Sequence, residues 1–547
     1  MPSDASDSSI PTSAKLKSKG WRFWAIYLSL SVSILLAAVE STVTSIALPF
    51  ISDQLQAGED FVWFVNSFFL TSACFQPLFG QCANLFGRRW LMIGAVAIFV
   101  LGSGISGGAT NSNMMIAGRA IQGIGGGGIN VMIDMIVSDL VPLRERGNFM
   151  GLIFAIFSIG TSLGPFIGGA IVQYSSWRWV FYINLPIGGA ALVCLFLFLH
   201  VNYQREPWQN KIKRVDYTGN ALLMTSIVVI LLALTWGGTT YPWSNWRIII
   251  CLVLGFIGMI TFHVYEASPY CREPMMPPHL FTNRTTATAM VLAFLHMMLT
   301  FWVVYFMPVY FQSVKLSSSA RAGVQFLPSV ILAVPTAVLA GMALTKWGRY
   351  RPIHAVGMAL VTLGLGLFTL LGAASSAAEW IVFQILTAIG LGCLLTTTLA
   401  AVQADLAEKD VGLATATWAF MRSYGAIWGI SIPAAVFNTQ FGKLSARIED
   451  PAVAAQLARG QAYSHVSAAF IKALEPRVRG EVVGVYSDAL LLVWQVSIAF
   501  AGMGFLLVWF QKEIKLRTDL ETEYGLADPK QKKERKRGES NGEVVAV

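Results

Sequence analysis

The chain has 547 residues, 55% of them hydrophobic and only 13% charged, with a mean hydropathy of +0.59 and a formal charge of +9. Soluble globular chains carry about 25% charged residues, so a water-soluble enzyme is excluded and lipid is the expected solvent. The basic excess is spread over loops and a tail rather than gathered on one domain, which argues against a nucleic-acid partner.

The polar segment 1–22 leads into an apolar run too long for a signal-peptide core, so the run is expected to stay as a helix behind a cytosolic tail. About fourteen apolar runs of roughly 20 residues follow, each long enough to cross a hydrocarbon layer. They lie near 24–50, 61–80, 90–109, 114–138, 149–173, 179–200, 218–236, 247–266, 287–311, 322–345, 353–373, 379–403, 413–439 and 489–510. Continuous runs rich in Leu, Ile, Ala and Gly predict helices, not the dyad alternation of a barrel, and the fold class is an all-α membrane protein.

With an even number of spans both termini share a side. Arg88, Arg89, Arg144, Arg146, Arg205, Lys211, Lys213, Arg214, Arg272, Arg284, Lys346, Arg349, Arg351 and Lys409 fall in one set of loops, while the other holds little beyond Arg178, Arg247, Lys315 and Arg321. The basic set marks the cytosol, and with it both tails, 1–22 and 512–547. Lys530, Lys532, Lys533, Arg535, Lys536 and Arg537 read as a solvated cluster, with anionic lipid as the alternative contact. In the long outer loop 441–488, Val466, Phe470, Ala473 and Leu474 predict an amphipathic helix on the outer leaflet.

Spacing reveals an internal repeat. Gly80, Gly87 and Arg88 recur as Gly341, Gly348 and Arg349; Gly125 and Gly127 as Gly390 and Gly392; Gly147, Gly160 and Gly164 as Gly412, Gly425 and Gly429. A duplicated six-helix bundle, 23–200 and 287–511, joined by a linker 201–286 with two extra helices, accounts for this and predicts a cavity between the halves.

Charges inside spans point to function. A buried Arg is disfavoured by about 2.5–3.5 kcal/mol on insertion scales, so Arg119 calls for a carboxylate or a cavity. Glu40 lies about 15 Å below the outer end of its helix and Arg119 about 8–9 Å below the end of its own, so the two are within reach. Gly123-x-Gly125-x-x-Gly128 fits a dinucleotide pattern, but no strand precedes it, and close helix packing is the better reading. The six cysteines form no C-x-x-C pair, Gly442-Lys443 is followed by Leu444 instead of a phosphate-loop Ser or Thr, and neither metal nor cofactor is implied.

Gly80-Gln-Cys-Ala-Asn84-Leu-Phe-Gly87-Arg88-Arg89, Arg119-Ala-Ile-Gln122-Gly123 and Gly160-Thr-Ser-Leu-Gly164-Pro165-Phe-Ile-Gly168-Gly169 resemble the signature loop, fourth-helix motif and antiporter motif of the major facilitator superfamily. Ala38-Val39-Glu40-Ser41-Thr42 resembles the first-helix motif of its 14-span drug:proton antiporters, of the fungal multidrug or toxin efflux type. Two departures stand out: Asn84 where the family usually has Asp, and Glu40 where Asp is commoner.

The resemblance implies the major facilitator fold and proton-driven export by alternating access, with no enzymatic step. It makes Glu40 and Arg119 the proton-coupling pair. Gly80, Asn84, Gly87, Arg88, Arg89, Gly160, Gly164, Pro165, Gly168 and Gly169 become conformational positions, with Asp139 as the expected acidic partner of the loop arginines. Asn66, Gln76, Gln122, Asp134, His296, Trp302, Tyr305, Gln384, Trp418, Arg422, Tyr424 and Trp428 are candidates for a largely apolar substrate pocket, with helix packing as the alternative. A small organic substrate, protons and the bilayer are the expected partners of a monomer in the plasma membrane or a vacuolar membrane. A proton-coupled importer of a siderophore or amino acid, and a ligand-sensing receptor, stay open as other readings.

Overall fold

The computed structural model describes residues 20–55, 63–143, 145–200, 214–237, 241–271, 274–457, 462–463, 465–514 and 516. Arg144, the loop residues Arg205, Lys211, Lys213 and Arg272, and the basic cluster of the C-terminal tail lie outside them. The architecture is helical throughout; in lipid a span must satisfy its own backbone, and a helix does so within one segment.

The first half comprises α1 (Trp21–Gln54), α2 (Trp63–Phe86), α3 (Arg88–Gly107), α4 (Ser112–Leu140), α5 (Arg146–Tyr174), the short α6 (Trp179–Tyr182) and α7 (Asn184–Phe198). Then come α8 (Tyr217–Trp236), α9 (Trp246–Glu266) and one turn, α10 (His279–Thr282). The second half comprises α11 (Arg284–Ser313), α12 (Ser319–Trp347), α13 (Arg351–Phe368), α14 (Ala377–Leu395), α15 (Thr397–Gln403), α16 (Glu408–Leu444), the short α17 (Pro451–Leu457) and α18 (Ala468–Ala473), and α19 (Pro476–Val508). Among the described residues, 11 helical segments are long and apolar enough to cross a membrane. The long helices α2, α5 and α16 pack among them.

Local chemistry sets the ends. Asn111 accepts from Met114 N–H at 2.8 Å to start α4, and Asp216 accepts from Gly219 N–H at 2.9 Å to start α8. Gly87 (φ 86°) turns the chain between α2 and α3, and its repeat partner Gly348 (φ 67°) ends α12 in the left-handed region where L side chains are strained.

Three expectations are corrected. The last helix begins at Pro476, not near 489, and α16 runs on to Leu444, so the long loop expected at 441–488 shrinks to 445–475. The amphipathic helix expected there is the six-residue α18; its Ile471 is fully buried and shares a core with Val466, Phe437, Phe441 and Tyr486, so it caps the second half instead of lying free on a leaflet. The sixth and twelfth apolar runs each break, at Ile183 and Thr396; Thr396 donates its hydroxyl to the Ala337 carbonyl at 2.9 Å.

The repeat reappears in the packing: α1 on α5, α3 on α4 and α2 on α4 in the first half match α11 on α16, α13 on α14 and α12 on α14 in the second. Helices α8 and α9 pair with each other, and α8 leans on α2. Outward, α9 exposes Val253, Leu254, Ile257 and Ile260, an apolar face suited only to lipid. The halves meet along two seams, α5 with α12 and α2 with α16.

Candidate functional site

Glu40 is enclosed in the first half with no solvent exposure. One carboxylate oxygen accepts from Arg119 Nη1 at 2.5 Å and from the Thr44 hydroxyl at 2.9 Å; the other accepts from Asn184 Nδ2 at 2.5 Å. Arg119 also donates Nε to the Phe64 carbonyl at 2.8 Å and Nη1 to Gln122 Oε1 at 2.6 Å, while its guanidinium lies 4.5 Å from the Phe68 ring centroid. Gln122 passes the chain on to Ser103 Oγ at 2.7 Å. A buried carboxylate and arginine offset their desolvation only when both charges are paired and their remaining hydrogen bonds filled, and four helices supply that here. The pair sits inside one half, not on the wall of the gap between halves. Asn184, Thr44 and Ser103 were not singled out by sequence; their only signal was a neutral polar residue inside an apolar run.

The antiporter-motif glycines pack against the helix that carries Glu40. A Cβ on Gly160 would lie 2.6 Å from Ala38 Cβ, and one on Gly168 2.9 Å from the Val43 carbonyl. They hold α5 against α1. Gly164 is buried in the same helix; the surroundings of Pro165 and Gly169 fall outside the described residues.

A second group of residues lies where the described chain begins and ends, the terminal side. Arg88 Nε pairs with Asp139 at 2.8 Å, both buried, and Arg88 Nη1 donates to the Ala83 carbonyl. Arg89 turns away and donates to the Phe196 carbonyl at 2.6 Å, so a carbonyl takes the place of the acidic partner expected for it. Contact across the seams is close. A Cβ on Gly147 would lie 3.0 Å from Gly341 Cα, one on Gly80 2.1 Å from Ala416 Cβ, and one on Gly412 2.7 Å from Asn84 Oδ1. Arg146, read from sequence only as a loop charge, donates to the Val141 and Ser138 carbonyls and across the seam to Gln403, which in turn donates to Thr415 Oγ1 at 2.6 Å. The terminal side of the gap is therefore shut.

The twelve pocket candidates separate. Gln122 belongs to the Arg119 network. Trp302, His296 and Gln384 are buried in the interior of the second half, where Trp302 packs on Phe500 and His296 Nε2 lies 3.0 Å from the Leu391 carbonyl; Trp418 is buried in a core that both halves share and donates to Thr398 Oγ1 at 3.2 Å. Gln384 stands to Gly390 as Arg119 stands to Gly125, and it donates to the Gln325 carbonyl at 3.1 Å much as Arg119 does to Phe64. Trp428 meets Phe256 of α9, while Tyr424 stacks on Phe420. Gln76 accepts from Ser423 Oγ at 3.0 Å across the α2–α16 seam. Asn66, Tyr305 and Arg422 are half-buried, and Asp134 faces Arg422 from the other half.

Among the described residues, one cluster has metal-ligating residue types: Asp216, Glu266 and Cys271, their ligand atoms within 4.8 Å of one another. Its carboxylates already accept from the backbone N–H of Gly219, Met275 and Met276 and from the Tyr265 hydroxyl, so it ties α8 to α9 as a hydrogen-bonded cap.

The Major Facilitator Superfamily model matches residues 30–430. The chain belongs to that superfamily. It is 48% identical over 533 residues to the MFS-type transporter gkaD of Penicillium citrinum, covering 97% of this chain and 91% of that one. It is 46% identical to the MFS efflux transporter aclA of Aspergillus oryzae, covering 96% of each. The solved proton:xylose symporter XylE shares the fold at a TM-score of 0.56 and 15% identity, covering 91% of this chain and 97% of that one. As a member of the superfamily it is a multi-pass membrane transporter, not an enzyme.

Proposed function

We propose that the chain exports small organic molecules, of drug, toxin or secondary-metabolite type, from the cytosol in exchange for protons. Two six-helix bundles, 23–200 and 287–511, rock about a central gap, with two linking helices in 201–286 and fourteen spans in all. The loop distribution of Lys and Arg supports cytosolic termini and puts the terminal side inside the cell. The plasma membrane is the favoured location, and a monomer suffices for the cycle.

The observation that carries this reading is the sealed Glu40–Arg119 pair. A carboxylate with no water access and a single countercharge exchanges its proton only when rocking of the half rearranges its partners. Its proton affinity then alternates with conformation, which is what coupling requires. The antiporter-motif glycines link that rearrangement to α5, because they seat α5 directly on the helix of Glu40. In the last turn of α2, Asn84 abuts Gly412 while Arg88 pairs with Asp139 of its own half, so closure rests more on Arg146 and Gln403 than on the missing Asp. The direction is supported by the antiporter motif and by relatives that are efflux transporters.

Accumulation of lipophilic dyes in a drug-sensitised cell tests this. Expression of the chain lowers accumulation, and Glu40→Gln or a protonophore abolishes the difference. Accumulation rising above the empty-cell level means import; transport by Glu40→Gln that equals wild type and resists a protonophore removes the coupling role.

A further inference from the structure

Arg88, Arg119 and Arg146 all spend donors on carboxylate, amide or carbonyl oxygens. Arg422 does not. It sits mid-way along α16, about 21 Å from the start of that helix at 1.5 Å per residue, and is half-buried at the gap between halves. Its guanidinium lies 4.5 Å from the Trp418 ring centroid and 4.9 Å from that of Phe154, which belongs to the opposite half. The recorded polar contact of Nη2 is the Met297 sulfur at 3.9 Å, and Nε, although enclosed, has no hydrogen-bond partner.

Two titratable groups face it. His296 holds Nε2 3.0 Å from the Leu391 carbonyl, the geometry of a ring N–H donating to that oxygen. Asp134 of α4 is the acidic group whose field reaches Arg422, yet the two form no ion pair and Asp134 makes no hydrogen bond among the described residues.

A latch would be closed here. The terminal seam is shut, with Gly147 on Gly341 and Arg146 bonded to Gln403, and α4 packs on α16, but Asp134 and Arg422 stay apart. An unspent guanidinium edge held between aromatic rings, only half-buried although the terminal seam is shut, has the chemistry of a receptor. Guanidinium is weakly hydrated, stacks on rings and offers Nε and Nη as a fork matched to a carboxylate. We propose that Arg422 receives the negatively charged group of the transported molecule, an amphipathic organic anion with a carboxylate or enolate, and that Asp134 serves as its countercharge when the carrier is empty. This rests on the transport reading above and names the substrate class.

Fluorescence anisotropy on the detergent-purified full chain tests it with two dyes of the same xanthene body, anionic fluorescein and cationic rhodamine 123. Wild type prefers fluorescein. In Arg422→Gln the ratio of the two affinities falls by about tenfold or more, the size of one charge-assisted hydrogen bond; Arg422→Lys, lacking the fork, falls between. Asp134→Asn moves the other way and binds fluorescein more tightly, because a competitor for the guanidinium is gone. A ratio unchanged in Arg422→Gln, weaker fluorescein binding in Asp134→Asn, or a wild type without preference for fluorescein overturns the proposal. Binding needs no gradient, so this outcome is independent of whether protons drive export.

Discussion

Gly80 offers a direct way to pry open the terminal side. In Gly80→Ala the new Cβ would lie 2.1 Å from Ala416 Cβ, well inside van der Waals contact, whereas the next nearest atom, Ala416 Cα, is at an ordinary 3.6 Å. The halves must separate locally, and overpacking of this kind costs about 1–3 kcal/mol. Because the clash exists only when the seam is shut, it shifts the ratio of closed to open by roughly 5–150-fold. Ser138 reports the change: it is 1% exposed and lies under the Arg146–Gln403 contact. In a background without native cysteines, Ser138→Cys should react with a maleimide slowly in the parent and at least several-fold faster with Gly80→Ala. Adding Ala416→Gly removes the atom that clashes and should restore the slow rate. Fast labelling that persists in the double variant, or no acceleration in the single one, refutes the seam geometry.

Other outcomes follow from the same contacts. Arg119→Ala leaves the Glu40 carboxylate buried without its countercharge and Glu40→Gln leaves the Arg119 guanidinium so, and each should lower thermal stability by about 3–5 kcal/mol, with the double variant losing clearly less than the sum; additive melting shifts in a fluorescence-detected assay contradict the pairing. Gly168→Ala forces a Cβ to 2.9 Å from the Val43 carbonyl and should destabilise, while Gly323→Ala, with nothing within 4 Å on exposed α12, should stabilise by up to about 1 kcal/mol; reversed signs in the melting curves sink the packing argument. Asn283 of the Asn283-Arg284-Thr285 sequon donates to Asp405 at 2.5 Å and accepts from Thr285 N–H at 2.8 Å on the terminal side, so no glycan is expected; a glycosidase-sensitive gel shift reverses the orientation.

The Glu40–Arg119 contact was legible in the sequence because a charge in lipid must find a partner, and few residues inside the spans can supply one. The glycine repeat was legible for a similar reason: Gly125 against Phe99 and Gly390 against Val361 show that each glycine marks a place where another helix comes too near for a side chain. Direction around a helix was not legible. In lipid the faces toward membrane, core and cavity are all apolar, so nothing in the spacing of Trp302 reveals that it points into the second half. Gln384 misled for the opposite reason: it is polar inside a span, but it fills in the second half the position that Arg119 holds in the first, bonded to Ser329 and Gln325. Arg146 was hidden by its place in the chain, since an arginine at the foot of a helix looks like any other topology-setting charge.

The seams between the halves also bear on rates. Where Gly147 meets Gly341 backbone faces backbone, and where Gly80 meets α16 the opposing group is only the Ala416 methyl, so at these points no long side chain interlocks with the opposite half. Interdigitated surfaces part only when several side chains leave their rotamer wells together; smooth ones part by translation, against little friction. What resists opening is then concentrated in a few directed bonds such as Arg146 to Gln403, which break one at a time. Such a carrier has a turnover governed by a small number of breakable contacts on a low mechanical barrier, and single substitutions at those contacts tune its speed without altering its shape.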